Sequence, residues 1–526
     1  MRFSKLVIYI LNVIIVLYAL VVGWSFVSGP FIINIVNIRV DDAQKPFLIL
    51  ICAILLRLSP KIARKLWSKT GLFTAIMTAL TVVLSLCGGE ILVRAIYPHG
   101  SATVAGGPGH QGFRYDLNNK NKRFPTVYGP KKPGITRILV QGDSLTFGQG
   151  VRDWRVTYPN RLLAMLNANG EKYDMETIAV PNRELDWHAD ILRENLGRVK
   201  PDIIIYQFYI NDIELEYCHH HDCGKPGAGM GPWREWRWHN TLLDKSYLYF
   251  VIDHALWSLA WTLKQPNPYF EWLNKDFEEG TEKGERLREA FHDWAAQATT
   301  HASRVIMMLY PALPYKDEYP LKPVSQRMKK YSLPNVFTIP VYTQKSDIGV
   351  NIDDKTSTFG KSRRAANDDG KPSQMMSGPY IQLAKGQYTA TFRLRLENFA
   401  GDGAVADISV TKDKGKTPLA SKTLSKEDFG NQGEWREFPL QFVINEKIAS
   451  EIEFVIMYRG VGDLYADTIS FPVSYPTPIE IVDLTEALHG MDTYNSIFDF
   501  HPNAKAHGVM ADELYEQLMK KRLPEM

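Results

Sequence analysis

The sequence has almost no charge imbalance, few cysteines and no long basic run, and each shortage removes a class of function. Lys and Arg number 61 against 58 Asp and Glu, a formal net charge of +3. Without a basic patch or stripe there is no electrostatic footprint for nucleic acid, and no nucleic-acid partner is expected. Four cysteines in 526 residues exclude a disulfide-rich framework. Hydrophobic residues at 45% and aromatics at 12% argue against disorder over most of the length. Nothing in the sequence calls for a cofactor. The length leaves room for three or four domains.

Residues 1–97 read as a membrane anchor with two or three transmembrane helices. The uncharged run 6–27 spans about 33 Å at helical rise. It lacks a small-residue cleavage pattern leading at once into a soluble domain, which favours an anchor over a signal peptide. The run 72–93 is long enough for a second span, with Glu90 near its far end. Between them, 47–58 is short and carries Arg57; it reads as a third crossing or as a re-entrant or interfacial segment. Arg2 and Lys5 precede the first run, and Lys61, Arg64, Lys65 and Lys69 precede the last. Three crossings place both groups in the cytoplasm and everything after residue 97 outside the cytoplasmic membrane, periplasmic or at the cell surface. Residues 98–134, rich in Gly, Pro, Asn and Lys, read as a tether.

From residue 135 short apolar runs alternate with helical patterns. Strands are expected at 137–140, 176–180, 202–208, 304–310 and 336–341, and helices over 158–169 and 187–199. That alternation is the mark of an α/β fold with a doubly wound parallel sheet, whose chemistry gathers at the carboxyl ends of its strands. Over 344–475 turn signals recur about every ten residues between short alternating runs, as in an all-β sandwich. Residues 476–526 return to strand-then-helix character. The sandwich is therefore an insertion into the α/β domain, which comprises 135–343 and 476–526.

The first strand runs into Gln141-Gly142-Asp143-Ser144-Leu145-Thr146-Phe147-Gly148. A serine on a strand-to-helix turn is held exposed beside amides that can stabilise an oxyanion. Ser and Asp are also favoured helix caps, so the motif alone does not decide. Its companions do. The third strand runs out into Tyr209-Ile210-Asn211-Asp212, and Asp499-Phe500-His501-Pro502-Asn503 stands near the C-terminus. A serine nucleophile needs a base within hydrogen-bond reach and a group that orients the base. His501 would take the Ser144 proton, and Asp499 would orient the imidazole and stabilise its cation. Asn211 would donate its amide to the oxyanion beside the Ser144 backbone amide. Pro502 suits the first turn of a helix over 504–521.

With these blocks in this order the chain resembles the GDSL, or SGNH, hydrolase family over about 135–343 and 476–520. The resemblance implies a flavodoxin-like three-layer sandwich and an esterase, lipase, deacetylase or acyltransferase activity. It carries the nucleophile to Ser144, the oxyanion donor to Asn211 and the base to His501. The sequence departs from the family pattern at three places. Asn182 stands where a glycine usually lends its backbone amide to the oxyanion hole; a backbone amide survives a change of side chain, so the hole is assigned to Ser144, Asn211 and Asn182. Tyr209 replaces a glycine two before Asn211, which would narrow the site. The orienting aspartate usually lies three before the histidine, where Phe498 stands; Asp499 lies two before.

Other features leave alternatives open. Cys218-His219-His220-His221-Asp222-Cys223 lacks the paired spacing of a zinc site. It reads as a loop disulfide between Cys218 and Cys223, favoured in an oxidising compartment, as a metal site, or as neither. Trp233, Trp236 and Trp238 precede an apolar stretch, 247–263, broken by Asp253 and His254. This is a helix at the bilayer surface or a helix packed on the sheet. His507 reads as a surface or supporting residue of the last helix. The inserted segment resembles carbohydrate-binding modules in texture, through Gly378-Pro379-Tyr380, Tyr388, Trp435 and Asp463-Leu464-Tyr465-Ala466-Asp467; a structural or protein-binding module is the other reading.

The expected function is a serine esterase, deacetylase or O-acyltransferase working through an acyl-serine on O-acyl groups of a cell-surface glycan. Expected partners are an acylated or lipid-linked glycan, the cytoplasmic membrane and a membrane acyltransferase. The other readings are a lipase-like esterase on lipids and a non-catalytic glycan-binding or assembly protein.

Overall fold

A computed structural model describes residues 31–33, 38–40, 69–96, 123–124, 127, 129–170, 172–214, 238–263, 268–311, 319–366, 372–399, 403–496 and 499–520. The expected spans at 6–27 and 47–58, the run Cys218 to Cys223, and Trp233 and Trp236 lie outside the described residues.

The parallel sheet is built from β1 (Thr136–Gly142), β2 (Tyr173–Ala179), β3 (Ile203–Phe208) and β4 (Arg304–Leu309). After the eight strands of a second, antiparallel sheet it is completed by β13 (Ile479–Asp483). The order is β2-β1-β3-β4-β13, every neighbour parallel, one of the doubly wound arrangements. The strand residues alternate between two cores because successive side chains point to opposite faces. Ile204, Tyr206, Val305 and Met307 meet α4 (Leu185–Val199), α7 (Pro268–Lys275), α8 (Glu282–His301) and α9 (Lys322–Tyr331). Ile203, Ile205, Ile306 and Met308 meet α3 (Tyr158–Leu166) and α10 (Ala504–Met519). Helices thus cover both faces, as strands that are apolar on both sides require. Asn503, not Pro502, starts α10: its side chain accepts from the amides of Lys505 and Ala506, both at 3.0 Å, an N-cap. Pro502 closes the preceding strand.

The expected fifth strand near 336–341 does not join this sheet. It forms β5 (Asn335–Pro340) and pairs antiparallel with β12 (Asp463–Val473), Asn335 opposite Val473. The physical reason lies in its pattern. Phe337 and Ile339 are buried while Val336, on the opposite face of the strand, is 61% exposed, and a strand with one wet face suits an antiparallel sheet.

The antiparallel sheet continues through β6 (Val350–Asp353), β7 (Lys361–Ala365), β8 (Ser373–Glu397), β9 (Ala404–Lys412), β10 (Thr417–Ser425) and β11 (Arg436–Tyr458). Its order is β10-β9-β11-β8-β12-β7-β6, with β5 also beside β12. Four register shifts interrupt the β8–β11 ladder between Gln374 and Gly386, and such irregularities bend and twist a strand pair. The core contains Phe392, Phe454, Ile456 and Phe471. Helix α8 joins the two sheets. On one side Asp293 accepts from the Gln382 amide at 2.8 Å and His292 Nε2 lies 2.7 Å from the Gln382 carbonyl. Burial lowers the His292 pKa to about 4, so at neutral pH the ring is uncharged and donates to that carbonyl. On the other side Trp294 Nε1 donates to Gln141 Oε1 of β1 at 3.1 Å.

Helix α1 spans Lys69–Ile96, with side chains described over part of its length. Among the described residues no helix is long and apolar enough to cross a membrane. Its one described carboxylate has a defined task. Glu90 accepts hydrogen bonds from the Tyr247 and Leu248 amides and the Ser246 hydroxyl, at 3.0, 2.9 and 2.9 Å. These are the first donors of α6 (Tyr247–Leu263), which follows α5 (His239–Lys245). An anion at a helix N-terminus satisfies amides that the helix itself leaves open. The aromatic helix is thereby docked on α1, with Phe250 and Asp253 buried and Ile252 and Leu256 exposed.

Phe454 is fully buried and stacks on Phe471 at 5.1 Å. Phe454→Ala should cost about 3–5 kcal/mol, read from the denaturant midpoint. Val443→Ala, on the exposed side of the same strand, should stay within about 0.5 kcal/mol.

Candidate active site

Three of the proposed site residues stand just past the carboxyl ends of adjacent strands: Ser144 after β1, Asn182 after β2 and Asn211 after β3. Ser144 opens the single-turn helix α2 (Ser144–Phe147), capped by Asp143, whose Oδ1 accepts from the Leu145 amide at 3.0 Å. Glycine precedes this pair for a steric reason. A Cβ on Gly142 would lie 2.0 Å from Thr146 Oγ1, an oxygen occupied with Gln207 Oε1 and the Tyr158 hydroxyl, each at 2.9 Å.

Ser144 Oγ lies 2.9 Å from His501 Nε2. The hydroxyl also faces Asp143 Oδ2, at 3.4 Å. One O–H serves one strong acceptor, and the shorter contact is the imidazole. With Nε2 accepting, the neutral ring carries its proton on Nδ1. His501 reaches this position on a hairpin of β14 (Tyr494–Ser496) and β15 (Asp499–Pro502). Asp499 pairs with Ser496 in this hairpin; its side chain lies outside the described residues.

Asn211 Nδ2 donates to Asp143 Oδ2 at 3.1 Å. The amide expected to serve the oxyanion is therefore held beside the nucleophile by the acid next to it in sequence, with its second N–H left for a further acceptor. Burial lifts the Asp143 carboxyl above the ordinary range, against the opposing pull of the Leu145 amide, the Asn211 amide and His501. Asp212, fully buried below, accepts from the Tyr206 hydroxyl and the Tyr209 amide, both at 2.8 Å. Burial, and then the charge of Asp143, push Asp212 well above the usual carboxylate range.

Asn182 has φ +59° and is exposed. That left-handed conformation explains the departure at this place: glycine takes it freely, and asparagine is among the few other residues that tolerate it. The ring of Tyr209 packs edge-on against Tyr310, 6.2 Å between centroids.

Behind the nucleophile turn, His507 is fully buried, not at the surface, and its Nδ1 accepts from the Tyr158 amide at 3.2 Å. Burial, with the charges of Arg123 and Arg161, lowers its pKa to about 3. The supporting half of the sequence reading describes it. Sequence reasoning missed Asp143 as a partner of Asn211, although it directly precedes the serine, and missed Asp212 although it directly follows the asparagine. It also missed Arg123 and Phe124, which fall in the stretch read as a tether and are buried in the α/β domain.

No family model matches the chain, and no curated protein matches it. Among solved structures it is similar to several carbohydrate-binding modules. It is similar to the C-terminal family 6 carbohydrate-binding module of a marine laminarinase from Zobellia galactanivorans, at 15% identity and TM-score 0.21, over 26% of this chain and 100% of that one. It is also similar to a carbohydrate-binding module of Cellvibrio mixtus lichenase 5A in complex with cellotriose, at 11% identity and TM-score 0.21, over 26% and 97%. A β-1,3-glucan-binding module from Bacillus halodurans matches at 11% identity and TM-score 0.21, over 26% and 94%.

Two substitutions test this geometry. Asn182→Gly should leave stability nearly unchanged, whereas Asn182→Val, forced into the left-handed region, should cost about 1–2 kcal/mol by thermal or urea unfolding. For Asp212, a raised folded pKa means that its favourable contribution is complete below the unfolded value and is lost as pH rises through the folded one. Asp212→Asn keeps a neutral side chain at every pH. The variant should therefore gain on the parent between about pH 4 and about pH 8. Urea midpoints at the two values check the direction, and a gain confined to the acid end would contradict it.

Proposed function

We propose that the protein is a GDSL/SGNH-type serine esterase, deacetylase or O-acyltransferase acting on O-acyl groups of a cell-surface glycan. The observation that carries this reading is the 2.9 Å contact between Ser144 Oγ and His501 Nε2, with the Asn211 amide held next to them by Asp143. His501 takes the serine proton as Oγ attacks the ester carbonyl. The tetrahedral oxyanion is met by the backbone amides of Ser144 and Asn182 and by the Asn211 side chain. Collapse breaks the bond to the alcohol oxygen, which His501 protonates, and leaves the acyl group on Ser144. Water, or a sugar hydroxyl deprotonated by the same imidazole, then attacks the acyl-serine. Asp499 orients His501 in this scheme. The strand order β2-β1-β3-β4-β13 supports the flavodoxin-like form of the fold.

The location and partners are part of the proposal. Exposed Leu84, Ile91 and Leu92 on α1 and the basic groups before it support an anchor in the cytoplasmic membrane, with the catalytic domain outside. The inserted sandwich would hold the glycan, and a membrane acyltransferase would supply acyl groups where transfer is the outcome. A lipid ester is the second reading, favoured by the exposed Ile252 and Leu256 of the docked helix α6.

The test is release of nitrophenol from para-nitrophenyl acetate by the full-length chain in mild detergent, compared with Ser144→Ala and His501→Ala. Either variant should lose about 10⁴-fold or more in kcat/KM. Equal rates in the parent and Ser144→Ala would rule out the acyl-serine route.

A further inference from the structure

The loop that follows the nucleophile turn is wrapped around one cation. Arg123 donates from Nε to the Phe147 carbonyl at 2.7 Å, from Nη2 to the Gly148 and Val151 carbonyls at 2.8 and 2.5 Å, and from Nη1 to the Arg152 carbonyl at 3.3 Å. The side chain is 6% exposed, and its guanidinium carbon lies 5.0 Å from the centre of the Phe147 ring. Arg123 comes from the stretch between the N-terminal apolar region and the first strand, far from the motif blocks in sequence.

The loop it holds is the piece of backbone that joins Ser144 to the histidine hairpin. The Gln149 amide donates to the Ser144 carbonyl at 3.0 Å. The Gln149 carbonyl accepts from Asn495 Nδ2 at 2.9 Å, and Asn495 lies on β14, the partner of the strand that carries His501. Gln149 therefore touches the nucleophile's backbone with one end of its residue and the base's hairpin with the other. Arg123 fixes the carbonyls on both sides of it, Gly148 and Val151. Gly148 takes φ +70°, and a Cβ there would lie 2.6 Å from Thr157 Cγ2 and 3.1 Å from Arg123 Nη2.

We propose that Arg123 is a positioning residue for the Ser144–His501 pair: it sets the distance between nucleophile and base through the 147–152 loop, so that a residue placed before the first strand is part of the catalytic scaffold. This rests on the reading of Ser144 as nucleophile. A planar fork that serves four carbonyls is a property of arginine; the ammonium of lysine is a compact point donor and does not reproduce it. A displacement of about 1 Å between reacting groups costs about 10²-fold in rate, and that is the effect expected on removing the clamp.

The experiment uses the full-length chain with Arg123→Met, Arg123→Lys and, as a destabilised control remote from the loop, Phe454→Ala. Two readouts are taken below the unfolding temperature of every variant: the rate at which a fluorophosphonate labels Ser144, and amide hydrogen exchange over 144–152 and 494–503. Labelling should fall by about 10²-fold in Arg123→Met, recover only in part in Arg123→Lys, and hold at the parent rate in Phe454→Ala. Exchange should rise in both segments in the Arg123 variants alone. Parental labelling by Arg123→Met, with nothing lost but melting temperature, would reduce the arginine to a structural role and overturn the proposal. If the parent itself fails to label, the nucleophile reading fails; the exchange data then decide the clamp separately, coupled loosening of both segments upholding it and unchanged exchange refuting it.

Discussion

The pairing of β5 with β12 is the constraint on which the site depends. Ser144 and His501 are 357 positions apart, and the antiparallel domain, from Asn335 to Val473, lies within that separation. The chain enters it along β5 and leaves along β12, and these two strands lie side by side, with Asn335 opposite Val473. An insertion whose ends are clasped together disturbs its host little. From the parallel sheet, the whole domain is equivalent to one long crossover between β4 and β13. Because β13 can then take its place beside β4, with Ile479 opposite Val305, the hairpin beyond it falls across the carboxyl edge, where the histidine meets the serine.

Charge around that meeting point is governed by burial. His507 is kept neutral by burial and two nearby cations, and Asp212 is driven toward its protonated form by burial and its neighbour Asp143. Burial lifts the Asp143 pKa, and its Oδ2 remains the acceptor for the Asn211 amide. The groups closest to Ser144 are thus tied together by directed hydrogen bonds, as in a preorganised polar site.

The alternation of strands and helices could be read from the sequence because both faces of the parallel sheet are covered, so its inner strands β1, β3 and β4 carry short apolar runs. The ends of those strands then pointed to Ser144 and Asn211, and the block Asp499-Phe500-His501-Pro502-Asn503 before the expected last helix pointed to His501. Strand 335–340 misled because Val-Phe-Thr-Ile-Pro is apolar enough for either sheet; only its partner decides, and pairing is not a local property. Asp143 and Asp212 were visible as neighbours of motif residues, but nothing in a sequence says which way a side chain turns. Arg123 was illegible for a deeper reason. Its role consists of contacts to backbone carbonyls, which every residue possesses, so the loop it clamps carries no matching letters.

Glu90 places a limit on how the α/β domain can move relative to α1. A body joined to a support at a single place can turn about it in every direction. This chain has a second tie: the carboxylate on α1 grips the first turn of α6, and only residues 264–267 separate α6 from α7, whose Trp272 and Leu273 are in the core against the parallel sheet. A body held at two points turns only about the line between them. The swing left to Ser144 resembles that of a door more than that of a pendulum.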